Sequence, residues 1–221
     1  FEAPDWLQGL IETGALGEKV KRGVYQKRNN EIHVLDRHSN AYRVSGAEVD
    51  EDLKRLLKYS NPAERFAALR SSQQPQAQFL WSIFRDLFHY CAVQLESIAD
   101  NARDLDLAMR WGFGWNQGPF EIWQAAGWKQ IAGWIQEDID AGKSMAQVPL
   151  PPWVMTIANN AQPVVHSNAG SFAPAAGQLH ARSQLPVYRR QHFPDRLLGE
   201  DTSYGETIFE TSAVRLWHTG D

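Results

Sequence analysis

Three glycines in the pattern Gly112-x-Gly114-x-x-x-Gly118 are the first residues in this 221-residue sequence whose spacing hints at chemistry. A dinucleotide fingerprint puts its glycines between a strand and a helix, so that a pyrophosphate meets the helix N-terminus. Here the spacing departs from that fingerprint and the glycines follow a helical pattern. They read as a helix–helix turn using positive φ. The seven histidines are scattered. His33 and His38 lie around a turn with no partner at metal-ligand spacing. His89 and Cys91 are close in sequence, but successive helical residues point about 100° apart, so Cys91 reads as inert core filler. Glu96, Asp100, Asp104 and Asp106 could supply an acid and a base, yet helix caps and a solvated face account for them. Lys19, Lys21, Arg22, Lys27 and Arg28 could hold a phosphate-bearing ligand by point charge; the plainer reading is a solvated loop. No GxSxG, HExxH or P-loop occurs.

The elements that must carry these residues are mostly helical. Residues 4–12 put Trp6, Leu7, Leu10 and Ile11 on one face, and Gly14 can end that helix. Residues 17–25 read as a glycine-bracketed basic turn. A small hairpin is expected from Ile32, Val34, Tyr42 and Val44 around Ser39 and Asn40. Ser45 to Glu48 could start a helix with Leu53, Leu56 and Leu57 on one face. Asn61 and Pro62 cap the next, with Phe66 and Leu69 inward. Residues 76–99 form the strongest element, apolar on most sides and so expected to be central and buried. Asn101 and Asp104 start another helix, Pro119 opens one ending at Gly127, and a last one runs from Trp128 to Ile139. After Val148 no period is sustained, so residues 149 to about 184 read as a linker or irregular extension. The segments around Thr207 to Glu210 and Ala213 to Trp217 alternate like an edge strand.

Composition bounds the function. Twenty-two basic against 26 acidic residues give a formal charge of −4, which offers no global field for nucleic acid. Hydrophobic residues at 43% support a sizeable core. No apolar run approaches the roughly 18 residues of a membrane span. A single cysteine excludes an intramolecular disulfide framework and a thiolate metal cluster, which fits a cytoplasmic setting. Of the nine tryptophans, Trp111, Trp115, Trp123, Trp128 and Trp134 fall near the glycine turn, suited to helix packing, a domain interface or an acyl chain. The chain opens on Phe1 rather than Met and stops at Asp221 without a terminus signal, so a longer parent is expected.

Two segments together resemble one family. Gly14, Gly17, Lys19, Gly23 and Tyr25 match the G-x-x-G-x-K-x-x-x-G-x-Y signature that closes the α-helical C-terminal domain of 3-hydroxyacyl-CoA dehydrogenases. Asp106, Ala108, Gly112, Gly114, Gly118, Pro119, Phe120 and Gly127 match the Gly-Pro-Phe signature of the same domain. The resemblance covers roughly residues 1–140. In the simple family the Gly-Pro-Phe segment comes first; here it follows, as in multifunctional β-oxidation enzymes whose helical region is duplicated. The tail from Glu210 resembles the opening strand of an enoyl-CoA hydratase domain. The resemblance therefore implies three parts: residues 1–58 as the end of a first helical copy and its connector, 59–148 as the second copy, and 149–221 as an extended linker toward a hydratase domain.

The same resemblance implies a mainly α helical bundle of the dehydrogenase C-terminal type with a short irregular or β extension. It implies a parent that oxidises 3-hydroxyacyl-CoA to 3-oxoacyl-CoA with NAD, the NAD being bound outside this chain. The family's His–Glu pair lies on the nucleotide-binding domain, absent here. Its Asn-Arg pair corresponds to Phe84-Arg85, so the Asn is missing, and Gln124 stands where an Asp is usual. Both departures suggest a degenerate copy, without catalytic residues, that shapes the acyl-CoA cleft. Expected partners are the acyl-CoA substrate and the nucleotide-binding and hydratase domains in cis, with a homodimer allowed and no nucleic acid. Candidate substrate contacts are Lys19, Lys21, Trp111, Trp115 and Gln117. The rival reading is a helical interaction or dimerisation domain without a ligand.

Overall fold

The computed structural model describes residues 4–46, 48–167, 169–181, 206–210 and 215–218. They are mainly α, with eight α-helices and short antiparallel strands among the described residues. The chain divides into two compact units, Phe1–Glu51 and Asp52–Asp221.

The first unit opens with α1 (Asp5–Glu12), entered through Pro4, whose extended backbone suits the position before a helix. A tight loop and a single 3-10 turn lead to β1 (Tyr25–Arg28), β2 (Glu31–Asp36) and β3 (Ala41–Val44), an antiparallel sheet in the order β1-β2-β3. The expected hairpin is β2–β3, with Asn40 at φ 51° in its turn. The basic segment adds what the sequence reading missed: it runs into β1, which pairs with β2 across a turn at Asn29 and Asn30, both at positive φ.

The second unit holds α2 (Glu51–Leu57), α3 (Pro62–Ser71), α4 (Pro75–Ile98), α5 (Ala102–Phe113), α6 (Pro119–Ala125), α7 (Trp128–Asp140) and α8 (Pro152–Ala158). The helix expected from Ser45 begins instead at Glu51. Asn61 caps α3 by accepting the Ala63 N–H at 2.9 Å, and Asn101 caps α5 by accepting from Arg103 at 3.0 Å and Asp104 at 3.3 Å. Helix α4 buries Trp81, Phe88, Cys91 and Leu95. It is not buried all round: Phe79, Ile83 and Tyr90, which share one stripe of the helix, are exposed.

Aromatic stacking builds the core. Trp123 and Trp128 are fully buried with ring centroids 4.1 Å apart. Their indole N–H groups donate to the carbonyls of Trp128 at 3.0 Å and Val154 at 3.1 Å, which removes the cost of burying a polar atom. The stack continues through Trp153 to Phe172. So the stretch after Val148, read from composition as an extended linker, enters the core: Leu150, Val154, Ile157, Ala158, Val165 and Phe172 are all buried. Strands β4 (His166–Ser167), β5 (Gly170–Ala173) and β6 (Gln178–His180) form a small antiparallel ribbon. Farther on, β7 (Glu206–Glu210) and β8 (Arg215–His218) pair antiparallel, giving the alternating tail its strand character.

Candidate functional site

The most conspicuous polar cluster is buried in the second unit. Its base is the turn between α5 and α6. Pro119 occupies the first position of α6, and Gly118 before it has no side chain with which to cap. Asp106, on α5, does that work from outside the helix: its two carboxylate oxygens accept the N–H groups of Phe120 at 2.9 Å and Glu121 at 3.1 Å. Any Cβ on residue 118 would overlap the Asp106 side chain, so the glycine is required by close approach. Its φ of −80° is ordinary, and of the three glycines in the run only Gly114 takes positive φ, closing α5. Glu121 completes the turn, accepting the Gly118 N–H at 2.6 Å and pairing with Arg110 at 3.2 Å.

His166 reaches this cap from β4. Its Nε2 lies 2.8 Å from Asp106 Oδ2, and its Nδ1 lies 2.9 Å from the Ser171 hydroxyl on β5. Gln124, on α6, fixes the same strand: its Oε1 accepts the N–H groups of Val165 and His166 at 2.6 and 2.9 Å, and its Nε2 donates to the His166 carbonyl at 3.1 Å. Burial pushes the Asp106 carboxyl up, opposed by His166 and the two amide donors. An Asp–His–Ser series invites comparison with nucleophilic catalysis. A nucleophile must be reachable, however, and Asp106, His166 and Ser171 are 0%, 1% and 2% exposed. This cluster clamps the ribbon to the helices. Sequence reading considered Asp106 as a cap or carboxylate and missed His166 and Ser171, which no local spacing connects to it.

The remaining buried charges are also structural. Asp138 of α7 accepts from Trp81 Nε1 at 2.8 Å and pairs with Arg85 at 3.4 Å and Arg70 at 3.3 Å. Arg85, which the family resemblance singled out, also grips Asp86 at 2.9 Å, and Asp86 holds the Met145 N–H at 3.1 Å. Cys91 is buried and its thiol is pushed up to about 12 by burial, which leaves it inert.

The predicted substrate contacts fall into two groups. In the second unit Trp111 is 70% exposed and Trp115 37% exposed, at the end of α5. Phe113 stands between them with its ring 6.4 Å from Trp115, and Gln117 follows, half-buried. These two tryptophans are therefore set apart from the core stack of Trp123 and Trp128. With Phe113 they leave aromatic surface exposed at the end of α5.

Lys19 and Lys21 belong to the first unit and are exposed. Lys21 lines a groove of about 1160 Å³ between α1 and β1–β2, whose walls include Leu7, Leu10, Leu16, Tyr25 and Ile32, with Lys27 among its lining. The glycine signature shapes this groove's edge. Gly17 and Arg22 exchange backbone hydrogen bonds at 2.8 and 3.1 Å, and a Cβ on Gly23 would lie 2.8 Å from the Gly17 Cα. The Tyr42 hydroxyl donates to the Gly23 carbonyl.

The described residues hold no dinucleotide fingerprint in its structural setting. Every described strand pair is antiparallel, and the glycine run joins two helices; a dinucleotide fold needs a parallel strand–turn–helix unit. Among the described residues no group of three or more His, Cys, Asp or Glu is placed to hold a metal. No described helix is long and apolar enough to cross a membrane.

No protein-family model matches the chain, and no solved structure does. Among curated proteins it is similar to a probable 3-hydroxyacyl-CoA dehydrogenase of Bacillus subtilis, 33% identical over 153 residues covering 64% of this chain. It is also similar to a putative fatty acid oxidation complex trifunctional enzyme of Rickettsia felis, 24% identical over 151 residues covering 67% of this chain. The chain spans 19% of the length of each of these relatives.

Proposed function

We propose that this chain is the C-terminal helical part of an NAD-dependent 3-hydroxyacyl-CoA dehydrogenase of fatty-acid β-oxidation. It shapes the acyl-CoA cleft and a domain or subunit interface, while hydride transfer belongs to a nucleotide-binding domain elsewhere in the parent. The carrying observation is the fit of the Gly-Pro-Phe signature to its geometry: Asp106 caps the helix that Pro119 opens, and Gly118 leaves room for it. The two relatives' names support the reading. In this account residues 1–58 are the end of a first helical copy with its connector, 59–148 form the second copy, and 149–221 extend from it. The C-terminal end leads toward a hydratase domain, and the parent works in the cytoplasm. Within the second unit Trp111, Trp115 and Gln117 are the candidate acyl-CoA contacts, and within the first unit Lys19 and Lys21 are separate candidate substrate contacts.

The isolated chain binds acyl-CoA without turning it over, because hydride transfer needs a positioned nicotinamide and the described residues hold no dinucleotide fold. Incubation with a 3-hydroxyacyl-CoA and NAD is expected to yield no NADH; sustained NADH formation overturns this part of the reading. One observation favours a second reading, a ligand-free interaction domain: Trp111 and Phe113 are about as exposed as each other, at 70% and 69%. Acyl-CoA binding separates the two, since a pure scaffold shows none.

A further inference from the structure

We infer that the loop of residues 15–23, with the groove beside it, docks the first unit on an anionic lipid surface. Backbone closure makes the loop rigid without help from its side chains. The reciprocal Gly17 and Arg22 hydrogen bonds and the close pass of Gly23 fix its course, so its outward residues have no packing task. Yet Leu16 and Val20 are large, aliphatic and exposed, and Ile11, Tyr25 and Ile32 around the groove are exposed as well. Five large apolar side chains facing water on one small unit call for a covering phase.

Charge identifies that phase. Residues 17–32 hold five cations (Lys19, Lys21, Arg22, Lys27 and Arg28) against Glu18 and Glu31, a local excess of 5 − 2 = +3 in a chain whose formal charge is −4. Cations interleaved with aliphatic residues and a tyrosine suit the boundary between phosphate headgroups and acyl chains. The groove lining contains no buried charged side chain. A specific small-molecule site has a few placed polar groups to orient its ligand; this lining matches a fluid apolar phase. An anionic bilayer therefore fits better than an acidic protein.

The test is sedimentation of the full chain with vesicles of phosphatidylcholine alone or mixed with phosphatidylglycerol. The chain is expected to co-sediment with the anionic vesicles only, and less as salt rises. Leu16→Asp and Val20→Asp are each expected to weaken partitioning, and Lys27→Glu to weaken it about tenfold by reversing one charge at the surface. Unchanged circular dichroism and Tm show that each variant is folded. Equal sedimentation with both vesicle types, or none with either, overturns the inference. So does binding that survives the loop substitutions but is lost in Trp111→Ala, which would move the contact to the second unit. Acyl-CoA binding in solution is a separate readout, so failure here leaves the enzymatic reading standing.

Discussion

Gln124 holds His166 by both ends of its peptide, accepting the N–H at 2.9 Å and donating to the carbonyl at 3.1 Å. An amide side chain carries both an acceptor and a donor, which a carboxylate does not. This gives a physical meaning to the glutamine at a signature position where an acid is usual: it fastens the ribbon that carries His166 to Asp106.

Replacing Gln124 with Glu tests that reading. The carboxylate keeps the acceptor role toward Val165 and His166 but cannot donate, and it faces the His166 carbonyl. A loss of about 1–3 kcal/mol is expected, the cost of leaving a buried acceptor unpaired. Urea unfolding measures it. A variant as stable as the parent would show that the Nε2 contact contributes nothing.

Gly118→Ala is the sharpest steric test. Its methyl would overlap Asp106, which must move and give up the Phe120 and Glu121 amides. A loss of about 2 kcal/mol or more is expected from the lost cap together with overpacking. An alanine introduced at Gly9, inside α1, where a Cβ meets nothing within 4 Å, is the control and should leave stability unchanged or raise it by up to about 1 kcal/mol.

The long helix and its capping residues were legible because local rules govern them. Asn61, Pro62 and Asn101 sit where caps sit, and the apolar period of residues 76–99 exceeds any strand. Less visible was the covering of α4. Phe79 and Ile83 look like core residues, but only the positions of α3, α5 and α6 decide which stripe is covered. Short strands after Val148 were expected, but the packing of that stretch into the core was missed for a related reason. Leu150, Val154 and Phe172 have no shared period, and what holds their segment is a set of long-range bonds from Gln124, Trp128 and Asp106. Lys19 and Lys21 were placed correctly at the surface of a basic loop, whereas the strand that follows them needed the pairing of Tyr25 with Val34 to become visible.

Asp138 is predicted to be the most sensitive charge in the second unit. Asp138→Ala removes the partner of Trp81 and strips Arg85 of one of its two carboxylates. A cost of roughly 3 kcal/mol follows from breaking a buried pair on one side only. Asp138→Asn keeps an acceptor for the Trp81 indole and should cost less. Comparable losses in the two variants would assign the cost to the ion pairs and contradict the share given to the Trp81 hydrogen bond.

Stability should also depend on pH through His89. Burial pushes its imidazole below the usual 6.5, against the pull of the Val148 backbone and then Asp86, and its Nε2 has no hydrogen-bond partner. Protons then bind the unfolded chain more readily than the folded one, so stability falls as pH drops through 6.5 toward the lower folded value. Melting curves from about pH 8 to about pH 5 should show this slope, and His89→Gln should flatten it. An unchanged slope in that variant would assign the dependence to other groups.

The central claim is that this chain forms part of an acyl-CoA cleft. The most direct measurement is tryptophan fluorescence during titration with an acyl-CoA, using the exposed Trp111 and Trp115 as reporters. The account predicts a saturable change that is lost in the Trp111→Phe, Trp115→Phe double variant. A signal that drifts linearly with added ligand, the same in the parent chain and the variants, would contradict it.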